Sequence, residues 1–411
     1  MKGTTATVMA LCGMAAMLGC TSVPKRVLEL PQGPDNPRNS EGDFARLKDG
    51  RIIFIYSRYV GNSSSDHAPA FLASRESADG GQTWTDTDRR VLENEGGMNV
   101  MSVSLLRLQD GRLAMFYLRK NSTQDCRPVM RVSTDEAKTW SEPVMCVSDA
   151  DRDYYVLNNA RAIQLTSGRI VLPICRHAWL QDPGSTNVWK SKKGAKGGND
   201  SDGEIMAALS DDAGATWRLS RSRFKTFAPN GKYRVTTQEP GVVELKDGRL
   251  LMWMRTAQNM QYVSYSEDGG DTWSKAVPWN LISPNSPATV RRLSNGDLIA
   301  IWNDHGAHPE YKDPDKVSPT YKRSAQWGNG QRAPLTVAIS KDEGRTWICR
   351  RDLEGGPDIW ACYIACLEVE DGVLLGYCAD NALRHSRVTY VPLSWLYGPP
   401  REGDTSGFFK D

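Results

Sequence analysis

The stretch Ser266-Glu-Asp-Gly-Gly-Asp-Thr-Trp273 decides the fold, because the chain repeats it. Its pattern, Ser-x-Asp-x-Gly-x-Thr-Trp, recurs at Ser77–Trp84, Ser210–Trp217 and Ser340–Trp347, and Ser133–Trp140 differs only in carrying Ala137 for the glycine. Short polar side chains at this spacing bond the backbone of a tight turn, and the tryptophan covers its apolar side. Each copy follows a second repeated signal. The hairpins are Leu47-Lys-Asp-Gly-Arg-Ile52, Leu108-Gln-Asp-Gly-Arg-Leu113, Leu165-Thr-Ser-Gly-Arg-Ile170, Leu245-Lys-Asp-Gly-Arg-Leu250 and Leu293-Ser-Asn-Gly-Asp-Leu298. A sixth, Val369-Glu-Asp-Gly-Val-Leu374, has no tryptophan motif after it.

Asp-Gly and Asn-Gly supply the positive φ angles of tight hairpin turns, and the flanking apolar alternation marks strands. Six copies of one antiparallel unit, roughly 50–75 residues each, close into a ring that hides their sheet edges. The expectation is an all-β fold, a six-bladed β-propeller over residues 27–400, with no second domain. The segment around Val27–Leu30 is expected to complete the last blade. Insertions at 178–203 and 304–331 are rich in Gly, Lys and Pro and read as rim loops.

Composition narrows the function. The 411 residues are 39% hydrophobic and 24% charged, an ordinary globular balance. A net charge of +2 gives no support to a nucleic-acid or membrane-surface role. Lys2 precedes an apolar run from Ala6 to Leu18 that ends at Gly19-Cys20, so residues 1–20 read as an export signal. The end resembles a bacterial lipoprotein processing site, which places the protein in the periplasm or on the cell surface through lipid on Cys20, with plain secretion as the other reading. No later stretch approaches the ~20 apolar residues of a membrane-spanning helix. Cys126 and Cys146 either pair or serve as small buried strand residues. His67, His177, His305, His308 and His385 lack zinc-site spacing, so neither metal nor cofactor is expected. His305 and His308 read as part of a solvated rim loop, and His67 as a neighbour able to tune Asp66.

The innermost strand of each blade lines the axis, so equivalent positions face one another. Nine residues before each hairpin glycine stand Glu41, Ser102, Asn159, Glu239, Pro287 and Tyr363. Eight residues after it stand Arg58, Arg119, Arg176, Thr256, Asp304 and Asp380, with Arg255 one residue short. Antiparallel pairing puts both sets at one end of the ring. The arithmetic thus predicts a cup holding two glutamates, a tyrosine and several arginines, which suits an anionic guest. Solvated strand ends are the bland alternative for any one arginine.

Here the residues resemble the retaining sialidase families and their Asp-box relatives over nearly the whole chain after residue 20. The resemblance implies an arginine triad holding a sugar carboxylate, a tyrosine nucleophile, a glutamate partner and an aspartate acid/base. Glu239 in Thr-Gln-Glu-Pro-Gly resembles the partner glutamate, and Tyr363 the nucleophile. Arg255 after Leu250–Met254 and Arg332 in Gln331-Arg-Ala-Pro-Leu-Thr-Val resemble triad arginines, and Asp66 stands at the place of the acid/base. The implied substrate is a glycan with an acidic terminal sugar, and the family default is a monomer.

One departure stands out. Sialidases usually carry Arg-Ile-Pro at the first inner-strand entrance, where this chain reads Asn39-Ser-Glu-Gly-Asp43. Arg38, Arg58 or Arg176 are the candidates to replace the missing arginine, and Asn159 joins them as a candidate substrate contact. Two alternatives stay open. In one, Glu41 marks a hydrolase of another acidic or substituted sugar, with Glu41 as general acid and Glu239 or Asp66 as base. A non-catalytic carbohydrate-binding propeller would keep the arginines but has no need of Tyr363, Glu239 and Asp66 together.

Overall fold

Apolar alternation through each hairpin builds one antiparallel sheet per repeat, and six such sheets are present. The computed structural model describes residues 22–180, 188–189, 198–232, 234–308, 331–356, 359–379, 384–399 and 409–410. The export segment with Cys20, Asp380 and most of the 304–331 insertion lie outside these residues.

The first blade runs outward from Asn39–Arg46 through Ile52–Tyr59 and Ala70–Ser77 to Arg89–Leu92. The second, fourth and fifth blades repeat that order from Asn99–Arg107, Thr237–Glu244 and Thr289–Arg292. In the third, the innermost strand is broken into Tyr155–Val156 and Ile163–Gln164, both paired with Ile170–Arg176. The sixth takes Cys362–Val369, Gly372–Ala379 and His385–Pro392 from the end of the chain and its outer strand, Lys25–Leu30, from the beginning. Pairing of Lys25–Leu30 with His385–Pro392 closes the ring. The apolar faces fill the spaces between blades. Phe116, Leu172 and Met206 pack between the second and third, and Ile299, Val337, Val373 and Leu375 between the fifth and sixth. Cys126 and Cys146 are both buried free thiols.

Part of the 178–203 insertion is ordered where a loop was expected. Trp179–Leu180, Gly198–Asp200 and Val188–Trp189 form a small sheet. Its strands are too short for periodicity to reveal them.

The tryptophan motif works as its composition suggests. In Ser133–Trp140, the Ser133 hydroxyl accepts from the Ala137 amide at 2.8 Å and donates to Asp135 at 2.8 Å. Asp135 also accepts from the Thr139 amide and hydroxyl at 2.9 and 2.6 Å. Ala137 takes a left-handed φ of 63°, where Gly81, Gly214, Gly270 and Gly344 stand in the other copies. The Thr139 hydroxyl and amide, with Ser133, hold the Asp135 carboxyl down at about 2, and Asp79 and Asp342 also sit at about 2. Because these values lie below the ordinary 3.8, the unfolded chain binds more protons in acid. The stabilisation is therefore complete above about pH 4 and is lost as pH falls towards 2. Urea midpoints for wild type and Asp135→Asn should differ at pH 6 and converge near pH 2. A gap that persists at pH 2 would contradict this origin.

Candidate active site

The register that sequence counting picks out is built as a repeated bulge. Cα pairing slips between Ser40 and Asp43, Met101 and Ser104, Gln238 and Gly241, and Cys362 and Ala365. The residues in those slips, Glu41, Ser102, Glu239 and Tyr363, have φ of 48°, 59°, 47° and 60°. Such left-handed conformations are costly for non-glycine residues and re-aim the side chain out of the strand. Three of the four are the ionisable groups expected in the cup.

Glu239 and Tyr363 meet. The Tyr363 hydroxyl donates to Glu239 Oε1 at 3.4 Å, while Arg255 Nη1 donates to Glu239 Oε2 at 2.7 Å. Arg255 is 2% exposed, and its Nε donates to Asn285 Oδ1 at 2.7 Å. Its Nη2 and Asn285 Nδ2 are buried with no protein partner. Arg332 lies over the Tyr363 ring at 5.5 Å, and it donates to Cys362 Sγ at 3.0 Å and the Asn285 carbonyl at 3.4 Å. Burial and the Glu239 charge push the Tyr363 phenol well up, against a downward pull from Arg332, so it is neutral at rest.

Arg38 gathers the second half. It lies over the Tyr59 ring at 4.7 Å and donates to Asp66 at 2.5 Å, Ser40 Oγ at 2.9 Å and Glu41 Oε2 at 3.2 Å. Asp66 stands at the rim with its side chain 63% exposed, and Asn99 and Lys120 hold its backbone carbonyl at 2.9 and 2.7 Å. Packing at the rim works against its charge, but Arg38 and Lys120 hold the carboxyl well below the usual carboxylate range. Glu41 behaves oppositely. Burial pushes it up to about 7, with Arg38 pulling it down and Asp66 and Glu239 adding to the rise. His67 beside Asp66 is lowered by partial burial and by Lys120, with Asp66 pulling the other way.

Three candidates from the sequence go elsewhere. Arg58 pairs with Asp88, which also holds Arg75 and Tyr56. Arg176 bonds Asp153 at 2.8 Å and Glu204 at 3.2 Å, and Arg119 donates to Met145 Sδ. The reason is strand alternation: side chains eight residues past the hairpin glycine stand on the opposite face from those seven or nine past it. The odd positions supply Arg255, Tyr59, buried Lys120 and buried His177. Asn159 is occupied by main chain instead of a guest: its amide donates to the Gly42 carbonyl at 2.8 Å and the Tyr363 carbonyl at 3.0 Å. Arg161 reaches the Ala288 carbonyl at 2.7 Å and Thr289 Oγ1 at 3.0 Å, and Thr289 in turn donates to the Ile364 carbonyl. The broken strand of the third blade thus lets Asn159 brace the Tyr363 carbonyl and Arg161, through Thr289, the carbonyl of Ile364 after it. His305 and His308 are not solvated: His305 is fully buried against the Gln331 carbonyl, and His308 pairs with Asp352 at 2.6 Å. A cavity of about 700 Å³ lined by Arg46, Lys48, Arg107 and Arg291 opens among the hairpin turns and includes none of the cup residues. Among the described residues, no three His, Cys, Asp or Glu side chains are grouped to hold a metal.

Fold and site together define an Asp-box propeller with an acidic and arginine-rich cup. Residues 98–376 match the BNR repeat-like domain, and the chain belongs to that family. It is 27% identical over 282 residues to the anhydrosialidase of Macrobdella decora, and 25% identical over 281 residues to a sialidase of Bacteroides fragilis. Each match covers 64% of this chain, but only 31% and 41% of the respective relatives' lengths. Among solved structures, Trypanosoma rangeli sialidase superposes with a TM-score of 0.63 at 15% identity, covering 91% of this chain and 59% of the other. The fold is the sialidase propeller.

Proposed function

We propose that this protein is an exo-acting glycoside hydrolase that removes a terminal sugar of the sialic acid class from glycoconjugates, with retention of configuration. The observation that carries the reading is the half-buried, neutral Tyr363 hydroxyl donating to Glu239 at 3.4 Å between two arginines. Glu239 takes the phenolic proton as Tyr363 Oη attacks the anomeric carbon and the glycosidic C–O bond breaks. A neutral nucleophile avoids the repulsion that a carboxylate would meet from an anionic sugar. Arg332, whose contacts with Cys362 Sγ and the Asn285 carbonyl are weak, and the unpartnered Arg255 Nη2 and Asn285 Nδ2 supply donors for the sugar carboxylate.

Asp66 is the group placed to give a proton to the departing oxygen and to recover it from the water that frees the sugar. Arg38 keeps it ionised at rest, so a substrate carboxylate that draws on Arg38 also frees Asp66 to carry a proton. Arg38 turned inward on Asp66 and Glu41 favours this reading over an acid–base pair built on Glu41. Convergence of Tyr363, Glu239, Glu41 and Asp66 on one cup favours it over a binding module. From the amino-terminal signal we also propose an exported, lipid-anchored or secreted monomer.

The test is hydrolysis of a fluorogenic α-sialoside followed by proton NMR of the first-formed sugar. Release of the α anomer, mutarotating afterwards to β, is expected. Initial release of the β anomer would exclude the tyrosine mechanism, and inertness on sialosides with turnover of another acidic glycoside would move the substrate.

A further inference from the structure

We propose that Glu41 binds the carboxylate of the acidic sugar as a neutral, hydrogen-donating carboxyl. This rests on the acidic-sugar reading and goes beyond it in assigning the residue that departs from the sialidase pattern. Glu41 occupies the same left-handed bulge position in the first blade that Glu239 and Tyr363 occupy in the fourth and sixth, so its side chain enters the cup at the same level. It adjoins the arginine cluster: Ser40, its neighbour, contacts Cys378 Sγ at 3.2 Å, and Cys378 pairs across the strands with Cys362, whose sulfur accepts from Arg332.

The hydrogen bonds decide where a proton would sit. Glu41 Oε2 accepts from both Arg38 Nη2 at 3.2 Å and Ser40 Oγ at 3.1 Å, while among the described residues Oε1 accepts no hydrogen bond. A proton on Oε1 therefore points at whatever enters the cup. The groups facing Glu41 are one cation, Arg38, two carboxyls, Asp66 and Glu239, and the uncharged Tyr59 and Cys378. Lys120, from the second blade, is engaged on the Asp66 carbonyl. Asp66 takes the shorter hydrogen bond from Arg38, at 2.5 Å. Asp66 and Glu41 thus share one guanidinium, Glu239 adds its charge from its own pairing with Arg255, and Glu41, 6% exposed, is the one least able to remain charged. A value pushed up to about 7 agrees with this. An incoming carboxylate adds negative charge and strengthens the preference for the protonated form. An ionised Glu41 would repel that guest, whereas a protonated one donates to it, as a carboxylic acid kept neutral in an apolar site can do for an oxyanion.

The experiment is KM and kcat from pH 5 to 9 for wild type and Glu41→Gln on an α-sialoside, with calorimetric Kd for free N-acetylneuraminic acid over the same range. Both KM and Kd of wild type should rise by about tenfold per pH unit above about pH 7. In Glu41→Gln, whose amide donates without titrating, both should stay flat above pH 7. A variant that keeps the alkaline rise overturns the proposal, as does one that weakens binding equally at every pH, which would mean an ionised Glu41 holding a hydroxyl or amine. Calorimetry reads the result even if turnover of the variant is poor, and equal melting temperatures rule out unfolding. Loss of the hydrolase reading would look different: wild type inert on sialosides, or Tyr363→Phe as active as wild type.

Discussion

Replacing Tyr363 with phenylalanine should lower kcat on an α-sialoside by about two to four orders of magnitude while leaving the melting temperature and acidic-sugar binding close to wild type. The selectivity of the loss follows from what the ring does. Its face still meets Arg332 at 5.5 Å, and its backbone is held by Asn159 at 3.0 Å, neither of which needs the hydroxyl. Only the oxygen that attacks and the proton it gives to Glu239 disappear. Glu239→Gln should fall comparably, but it also removes the charge that pairs with Arg255 at 2.7 Å, so its KM should change as well. Together the two substitutions should cost little more than either alone, because nucleophile and base act as a unit. A Tyr363→Phe variant retaining a tenth or more of wild-type kcat would remove tyrosine from the chemistry.

The fold was legible because it is written six times. Turn residues and tryptophan motifs carry local chemistry that needs no tertiary context, and closing the last blade with Val27–Leu30 follows from the hairpin that lacks its own motif. The cup was legible only where side-chain direction follows a count. Nine residues back from the glycine found Glu41, Glu239 and Tyr363, although nothing in composition shows that a bulge with positive φ turns them inward. Eight residues forward chose the wrong face of a pleated strand, so Arg58, Arg119 and Arg176 were preferred over Lys120 and Tyr59. Shifting that count by one would have recovered both. Arg38 escapes any register because it stands just before Asn39–Arg46, the innermost strand of the first blade, and reaches Asp66 across a loop. Asn159 was misread because the broken strand of the third blade sends its amide across to the first and sixth blades. Those contacts join residues 117 and 204 positions apart, a separation no local pattern encodes.

Glu354→Ala should destabilise the ring by about 3–5 kcal/mol and lower Tm by roughly 5–10 °C. Glu354 is fully buried in the outer strand of the fifth blade. It accepts from Arg26 at 2.9 Å, from Arg387 at 2.9 Å and from the Tyr377 hydroxyl. Arg387 also donates to Glu29 at 2.8 Å, and His385 pairs with the same carboxylate. Arg26 and Glu29 belong to the amino-terminal strand that closes the sixth blade, while Arg387 and His385 belong to the strand it pairs with. A single carboxylate therefore ties the closing strand to two blades at once. Removing it breaks two ion pairs at once, that of Arg387 in the interior between Glu354 and Glu29 among them, and the loss of a fully buried carboxylate from this network makes the effect large. Tyr377→Phe, which deletes one neutral donor and keeps both ion pairs, should cost only about 1 kcal/mol. The contrast separates a charge clasp from ordinary packing: similar losses in the two variants would mean that the apolar contacts of Lys25–Leu30, and not Glu354, hold the ring shut. Limited proteolysis should agree, with cleavage ahead of Asn39 appearing early in Glu354→Ala and late in Tyr377→Phe.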